Sequence, residues 1–278
     1  MNLTDAHVHF WDDCLPHPWL AEVPAIATPH TPAELRAEAG PATPSKIVFV
    51  ECGAPWLDEV RWVERLAAAE PGIAAIVAKA PMNAGVQTTA AIADLSKHPL
   101  VRGVRHLLHD ESDPAFCLTR EFIAGIAQLP DARLSFDLCC RPTQLPAVIE
   151  LVRRCPRTQF ILDHAGKPAI RSRLLDPWRA HTRTLATRPN VACKLSGLVT
   201  EADPERWTTD DLRPYATHLI DTFGPSRLLF GGDWPVSRLA SSYVRWLEAA
   251  LALTDDLSGA DRAAIFSENA GRIYRLGV

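Results

Sequence analysis

The residues best suited to chemistry begin five positions into the chain, in Asp5-Ala6-His7-Val8-His9. Side chains two apart on an extended strand point to the same side, so His7 and His9 project together. Two converging imidazoles are costly to bury without partners, and a divalent metal is a natural one. Hydrogen bonds to neighbouring carboxylates would also satisfy them, and the spacing leaves both readings open. In Phe160-Ile161-Leu162-Asp163-His164-Ala165-Gly166-Lys167-Pro168, His164 stands where an apolar run gives way to a Gly/Pro turn. Asp233 holds the matching position in Leu228-Leu229-Phe230-Gly231-Gly232-Asp233-Trp234-Pro235. A single strand-end Asp or His usually caps a loop. Three strand ends offering three histidines and an aspartate are hard to explain as packing.

These residues need strands to carry them. Apolar runs rich in Val, Ile, Leu and Phe recur at 3–10, 46–52, 73–80, 101–107, 134–140, 159–163, 191–195 and 228–232. Several are almost continuously apolar, as parallel strands covered on both faces are. Between them, 56–70 places Leu57, Val60, Val63 and Leu66 on one helical stripe. Segments 144–155 (Leu145, Val148, Ile149, Val152) and 242–253 (Val244, Leu247, Leu251) have the same spacing. Thr31-Pro32-Ala33-Glu34 reads as a helix start with a capping box. Eight strands alternating with helices are the arithmetic of a (β/α)8 TIM barrel. A doubly wound sheet is disfavoured, because Phe10-Trp11-Asp12-Asp13 follows the first strand where a glycine-rich phosphate turn would stand. No repeat, low-complexity tract or composition shift divides the chain, so residues 1–278 read as one α/β domain.

In a barrel of this kind, polar side chains at the C-terminal ends of different strands are the reactive ones. That adds Arg105 and His106 near the end of the fourth strand and Lys194 on the seventh, as candidates to bind an oxyanion, hydroxyls or a carboxylate. Lys194 has a competing reading as an inward residue paired with a carboxylate. Trp11 and Trp234 are placed to stack on a ligand ring or to pack the rim. Glu51 is equally ambiguous, and Asp163, next to His164, is expected to point the other way in a structural role.

Bulk composition narrows the function classes. The 278 residues include 47% hydrophobic and 22% charged side chains, an ordinary globular balance. With 29 basic and 33 acidic residues the net charge is -4, which disfavours nucleic acid as a partner. Seven cysteines without a Cys-x-x-Cys pair suggest reduced thiols in the cytoplasm, not a disulfide framework or zinc ribbon. The N-terminus lacks the pattern of a signal peptide, and no apolar run is long enough to span a membrane.

The set of motifs resembles the amidohydrolase superfamily, within it the sugar-lactonase branch. Asp5–Trp11, Gly103-Val104-Arg105-His106, Asp163–Pro168, Lys194–Leu198 with Thr200–Asp203, and Gly231–Val236 carry the resemblance over nearly the whole chain. It implies a distorted (β/α)8 barrel with His7, His9, His164 and Asp233 around the reaction centre. The implied activity is hydrolysis of an aldonolactone, such as L-fuconolactone, by a monomer or homodimer. Asp233 would be the general base and His164 a second catalytic group. The implied cofactor is one divalent metal, Zn2+, on His7, His9, His164 and Asp233, or none. The fourth strand ends without a bridging carboxylate or Lys and the fifth without His, so a two-metal site is not expected. Competing activities are decarboxylation of an aromatic or unsaturated acid and opening of a dicarboxylate lactone. A catalytically silent binding barrel is the non-enzymatic reading.

Overall fold

A computed structural model describes residues 2–277. Eight strands form one parallel sheet in chain order: β1 (Thr4–Val8), β2 (Lys46–Val50), β3 (Ile73–Lys79), β4 (Val101–Leu107), β5 (Ser135–Cys139), β6 (Phe160–Leu162), β7 (Val191–Leu195) and β8 (Leu228–Phe230). Each coincides with an expected apolar run, β4 and β7 over their whole length and the others trimmed by one or two residues at one or both ends, where the backbone turns into a loop. The principal helices between and after them are α1 (Pro32–Ala39), α2 (Trp56–Ala69), α3 (Val86–Leu95), α4 (Arg120–Ile126), α5 (Leu145–Arg154), α6 (Trp178–Ala186), α7 (Thr209–Phe223) and α8 (Tyr243–Ala252). The Thr31/Glu34 capping box opens α1 as expected. On α8 the buried stripe differs from the expected one: Tyr243, Trp246, Leu247 and Ala250 face inward, with Val244 and Leu251 only partly covered. Aromatic bulk turns the helix onto its wider apolar face.

The sheet closes beyond the end of β8. The Asp233 amide donates to the His7 carbonyl (2.8 Å) and the His9 amide to the Trp234 carbonyl (2.7 Å). Asp5 reinforces this seam. Its buried carboxylate accepts from the His7 amide (3.0 Å), the Gly232 amide (2.8 Å) and the Tyr243 hydroxyl (3.0 Å). Position 232 must be glycine here, because a Cβ would collide with the Asp5 carboxylate and the Tyr243 ring. At the opposite end, Ala270, Ile273, Tyr274 and Leu276 pack against Ala6, Val48, Val77 and Leu229 and stopper the barrel. The C-terminal ends of the strands are thus left as the functional mouth.

Asp5→Ala strands three buried donors at the seam. An unsatisfied buried donor costs about 1–3 kcal/mol, so urea unfolding is expected to show a loss of at least ~3 kcal/mol. An unchanged midpoint would show that the seam holds without Asp5.

Candidate active site

A register shift in the β1–β2 pairing between Asp5 and Val8 lets Asp5 face Tyr243 of α8 while His7 faces Lys194 of β7. His9 lies beyond the strand, its Nδ1–H donating to the Val50 carbonyl (2.8 Å). Where β6 ends, His164 and Ala165 take left-handed backbone angles (φ 50° and 54°). That bend cancels strand alternation, so Asp163 and His164 both reach the interior. Asp163 therefore does not point away: it pairs with Lys194 (2.8 Å), Arg105 (3.5 Å) and His7 (3.5 Å). Gly197 makes room for His164, whose ring would meet any Cβ there, and Ser196 Oγ lies 3.0 Å from His164 Nδ1.

Asp233, in the left-handed region at φ 53°, is the hub. Its Oδ1 lies 3.7 Å from His7 Nε2, 3.6 Å from His9 Nε2 and 3.9 Å from His164 Nε2. Only the tips of His9, His164 and Asp233, at 5–6% side-chain exposure, meet the mouth; His7 has none. Burial alone would raise the Asp233 pKa, but the potential of the groups around it, with Lys167 the formal positive charge among them, holds the carboxyl below its usual range. Burial pushes His7 and His164 well below the usual imidazole range, so both are neutral near pH 7.

Hydrogen-bond direction assigns the proton on His7. Lys194 is fully buried; its ammonium meets Asp137 Oδ2 (2.6 Å), Asp163 Oδ1 (2.8 Å) and His7 Nδ1 (3.1 Å). An ammonium has three protons and no lone pair, so across this contact His7 Nδ1 accepts and the proton sits on Nε2; the longer approach of Arg105 Nη1 to that Nε2 (3.4 Å), also from a pure donor, is then not a hydrogen bond. The 3.1 Å contact from His7 Nε2 to His9 Nε2 then runs from donor to acceptor. This assignment orders the protons from Lys194 through both imidazoles to Val50.

The remaining sequence candidates divide by environment. Arg105 is inside, but its guanidinium fork is held by the Glu51 carboxylate (2.8 Å) and the Glu51 carbonyl (2.6 Å). His106, next along the strand, points away to pair with Glu111 (2.7 Å) and stack on Phe116. Alternation along β4 separates them, so His106 is not brought to the centre. Trp11 and Trp234 are buried, their indole N–H groups bonded to the Thr28 carbonyl (3.0 Å) and Glu38 (3.0 Å). Both are held in the rim by these bonds, Trp234 on the lining of one cavity and Trp11 on that of another. Sequence reasoning assigned no role to Asp137 or Ser196. Asp137 was legible as a charge within an apolar strand, and Ser196 as the residue two beyond Lys194. Lys167, paired with Glu201 (3.1 Å), bears electrostatically on Asp233. Its position depends on a turn that no periodicity reveals.

His7, His9 and Asp233 offer ligand atoms within 4.8 Å of one another, as do His7, Asp163 and His164. This nitrogen and oxygen set fits one zinc-like dication. Anchoring of His9 Nδ1 by a carbonyl is typical of imidazoles that support metal. His7 Nε2 can join only when its proton moves to Nδ1, where Asp163 is the acceptor and Lys194 the competitor.

Comparison with known proteins agrees with this architecture: the amidohydrolase family profile matches residues 4–276. The chain belongs to the amidohydrolase family. Among amidohydrolases it is 35% identical to an L-fucono-1,5-lactonase of Burkholderia ambifaria, over 98% of this chain and 95% of the relative. It is 37% identical to an L-fucono-1,5-lactonase of Burkholderia multivorans, with the same coverage. A crystal structure of a B. multivorans amidohydrolase with bound zinc superposes with a TM-score of 0.90 at 34% identity, covering 100% of both chains.

Lys194→Met leaves Asp137 and Asp163 buried beside each other without their cation. Breaking a buried pair in this way costs about 3–5 kcal/mol, and chemical denaturation is expected to show a loss of that size. Unaltered stability would mean that the two carboxylates do not depend on Lys194.

Proposed function

We infer that the protein hydrolyses a sugar lactone of the L-fuconolactone type to the open-chain sugar acid. The observation that carries the reading is the ionised Asp233 carboxylate at the focus of three imidazole Nε2 atoms, at the mouth of a barrel similar over its length to two L-fucono-1,5-lactonases. Asp233 takes a proton from water as the hydroxyl oxygen bonds to the lactone carbonyl carbon. When the tetrahedral intermediate collapses, the ring C–O bond breaks and Asp233 returns that proton to the departing oxygen. The new carboxylic acid ionises and releases one proton to solvent.

A carboxylate with a depressed pKa is a weak base for free water, so the oxyanion must be stabilised as it forms. Lys167 adds positive potential beside Asp233, while the His7 Nε2–H, bonded to His9, fixes the His9 ring below the mouth. His164, oriented by Ser196, holds the water against Asp233. His7, His9 and Asp233 are the residues that would hold a divalent ion, which when bound supplies carbonyl polarisation or a more acidic water.

The charge distribution favours a neutral polyhydroxy substrate over a dicarboxylate. Arg105 and Lys194 are engaged by Glu51, Asp137 and Asp163, and Lys167 already pairs with Glu201. Few cations remain to meet two substrate carboxylates. Seven free thiols support a reducing compartment, the cytoplasm. Among the described residues no helix is long and apolar enough to cross a membrane. The acidic net charge is consistent with a small-molecule enzyme, acting as a monomer or homodimer without nucleic acid.

The test is proton release from a panel of aldonolactones. Wild type is expected to acidify at least one rapidly, with kcat about 100- to 10,000-fold lower in Asp233→Asn. No turnover by the metal-supplemented wild type, or release of carbon dioxide from an aromatic acid, would overturn the reading. The pH profile is a separate check. With the Asp233 pKa held low, kcat/KM is expected to fall only as the pH drops through and below about 4. An acidic limb near pH 6–7 would contradict Asp233 as the ionised base.

A further inference from the structure

The chain carries a second cluster of metal-ligating groups that the hydrolytic centre does not use. His17, in the loop after β1, Cys52, just beyond β2, and Glu59, on α2, place an imidazole nitrogen, a thiol sulfur and a carboxylate oxygen within 4.8 Å of one another. Cys52 and Glu59 are buried, at 6% and 1% exposure. His17 Nδ1 donates to the Leu15 carbonyl (3.0 Å), which leaves Nε2 as the lone-pair nitrogen. That Nε2 is buried and has no hydrogen-bond partner. The thiol donates to the Phe10 carbonyl (3.1 Å) and the Glu59 carboxyl accepts from the Cys52 amide (3.0 Å), so neither satisfies the imidazole, and an unpartnered buried acceptor in this cluster calls for an occupant.

We propose that His17, Cys52 and Glu59 form a site for a borderline-soft dication of the Zn2+ class, separate from the Asp233 centre. Mixed nitrogen, sulfur and carboxylate donors suit zinc and exclude hard ions such as Mg2+ and Ca2+. Metal–ligand bonds of about 2.0–2.3 Å bring donors on one ion closer than 4.8 Å, so the His17 loop must move inward on binding. The surroundings suit a cation. Glu51 lies near Glu59, and Asp12 and Asp13 share with His17 the lining of an adjoining cavity of about 290 Å3, of which Cys52 and Glu59 are not part. Burial and neighbouring carboxylates keep protons on the Cys52 thiol and on Glu59, whose pKa is pushed up to about 8. Those are the protons a dication would displace. The site joins the first loop of the mouth to β2 and α2. Trp19 already ties the same loop down, its indole N–H donating to the Cys52 carbonyl (2.7 Å).

Cadmium tests the site, because the ultraviolet sulfur-to-cadmium charge-transfer band reports thiolate ligation and is silent for an imidazole–carboxylate centre. The experiment uses the chelator-treated full chain carrying Cys14→Ser, which removes the one exposed thiol. The expected result is a band that saturates at one Cd2+ per chain and is displaced by Zn2+. It should be lost in Cys52→Ser, weakened at least tenfold in affinity by His17→Ala, and retained in Asp233→Asn. Absence of the band, its survival in Cys52→Ser, or unchanged affinity in His17→Ala would each overturn the proposal. His17→Ala, in a half-buried loop, decides the matter if Cys52→Ser fails to fold. The readout is independent of lactone turnover, so failure of either reading leaves the other standing.

Discussion

The ammonium of Lys194, sealed in the barrel with Asp137 and Asp163, is the interaction on which the rest of the centre depends. A lone buried charge costs several kcal/mol even after relaxation, so the three groups tolerate the interior only together. Their arrangement leaves Lys194 one proton to direct, and it goes to His7 Nδ1. That contact turns the His7 Nε2–H toward His9. Tyr274 extends the lattice by donating to Asp137 Oδ2 (2.7 Å), linking the plug at the closed end to the chemistry at the mouth. A change at the C-terminal plug therefore reaches His7 through three hydrogen bonds.

The barrel and the centre have different electrostatic logic. Lys194, Arg105 and their carboxylates neutralise one another inside, fixing geometry instead of meeting a ligand. Above them, the neutral imidazoles of His7 and His164 surround an ionised Asp233, which is the distribution that water activation and oxyanion formation require. Metal and Lys194 compete for the same tautomer of His7. The donor set can thus fit a dication while its hydrogen bonds also support the metal-free arrangement.

Much of this was legible in the residues. The eight strands could be read because each is nearly continuously apolar, and His7, His9, His164 and Asp233 because each stands where such a run ends. What lay beyond the sequence has several causes. Asp163 and His164 both enter the barrel because left-handed backbone at His164 and Ala165 breaks the alternation that a strand pattern assumes. His106 leaves the centre because alternation holds along β4. Arg105 is a candidate substrate cation in the sequence, and its engagement by Glu51, 54 positions away in the chain, is visible only in the fold. Trp11 and Trp234 stood beside reactive residues, but adjacency in sequence does not decide which wall of a loop a ring packs against.

The most direct test of this account is the proton on His7, read from nitrogen-15 shifts of the labelled imidazoles in metal-free protein at neutral pH. The account predicts a neutral His7 carrying its proton on Nε2, with Nδ1 as the acceptor of the Lys194 hydrogen bond. A proton on Nδ1, or a doubly protonated ring, would contradict the directional chain and with it the role given to Lys194.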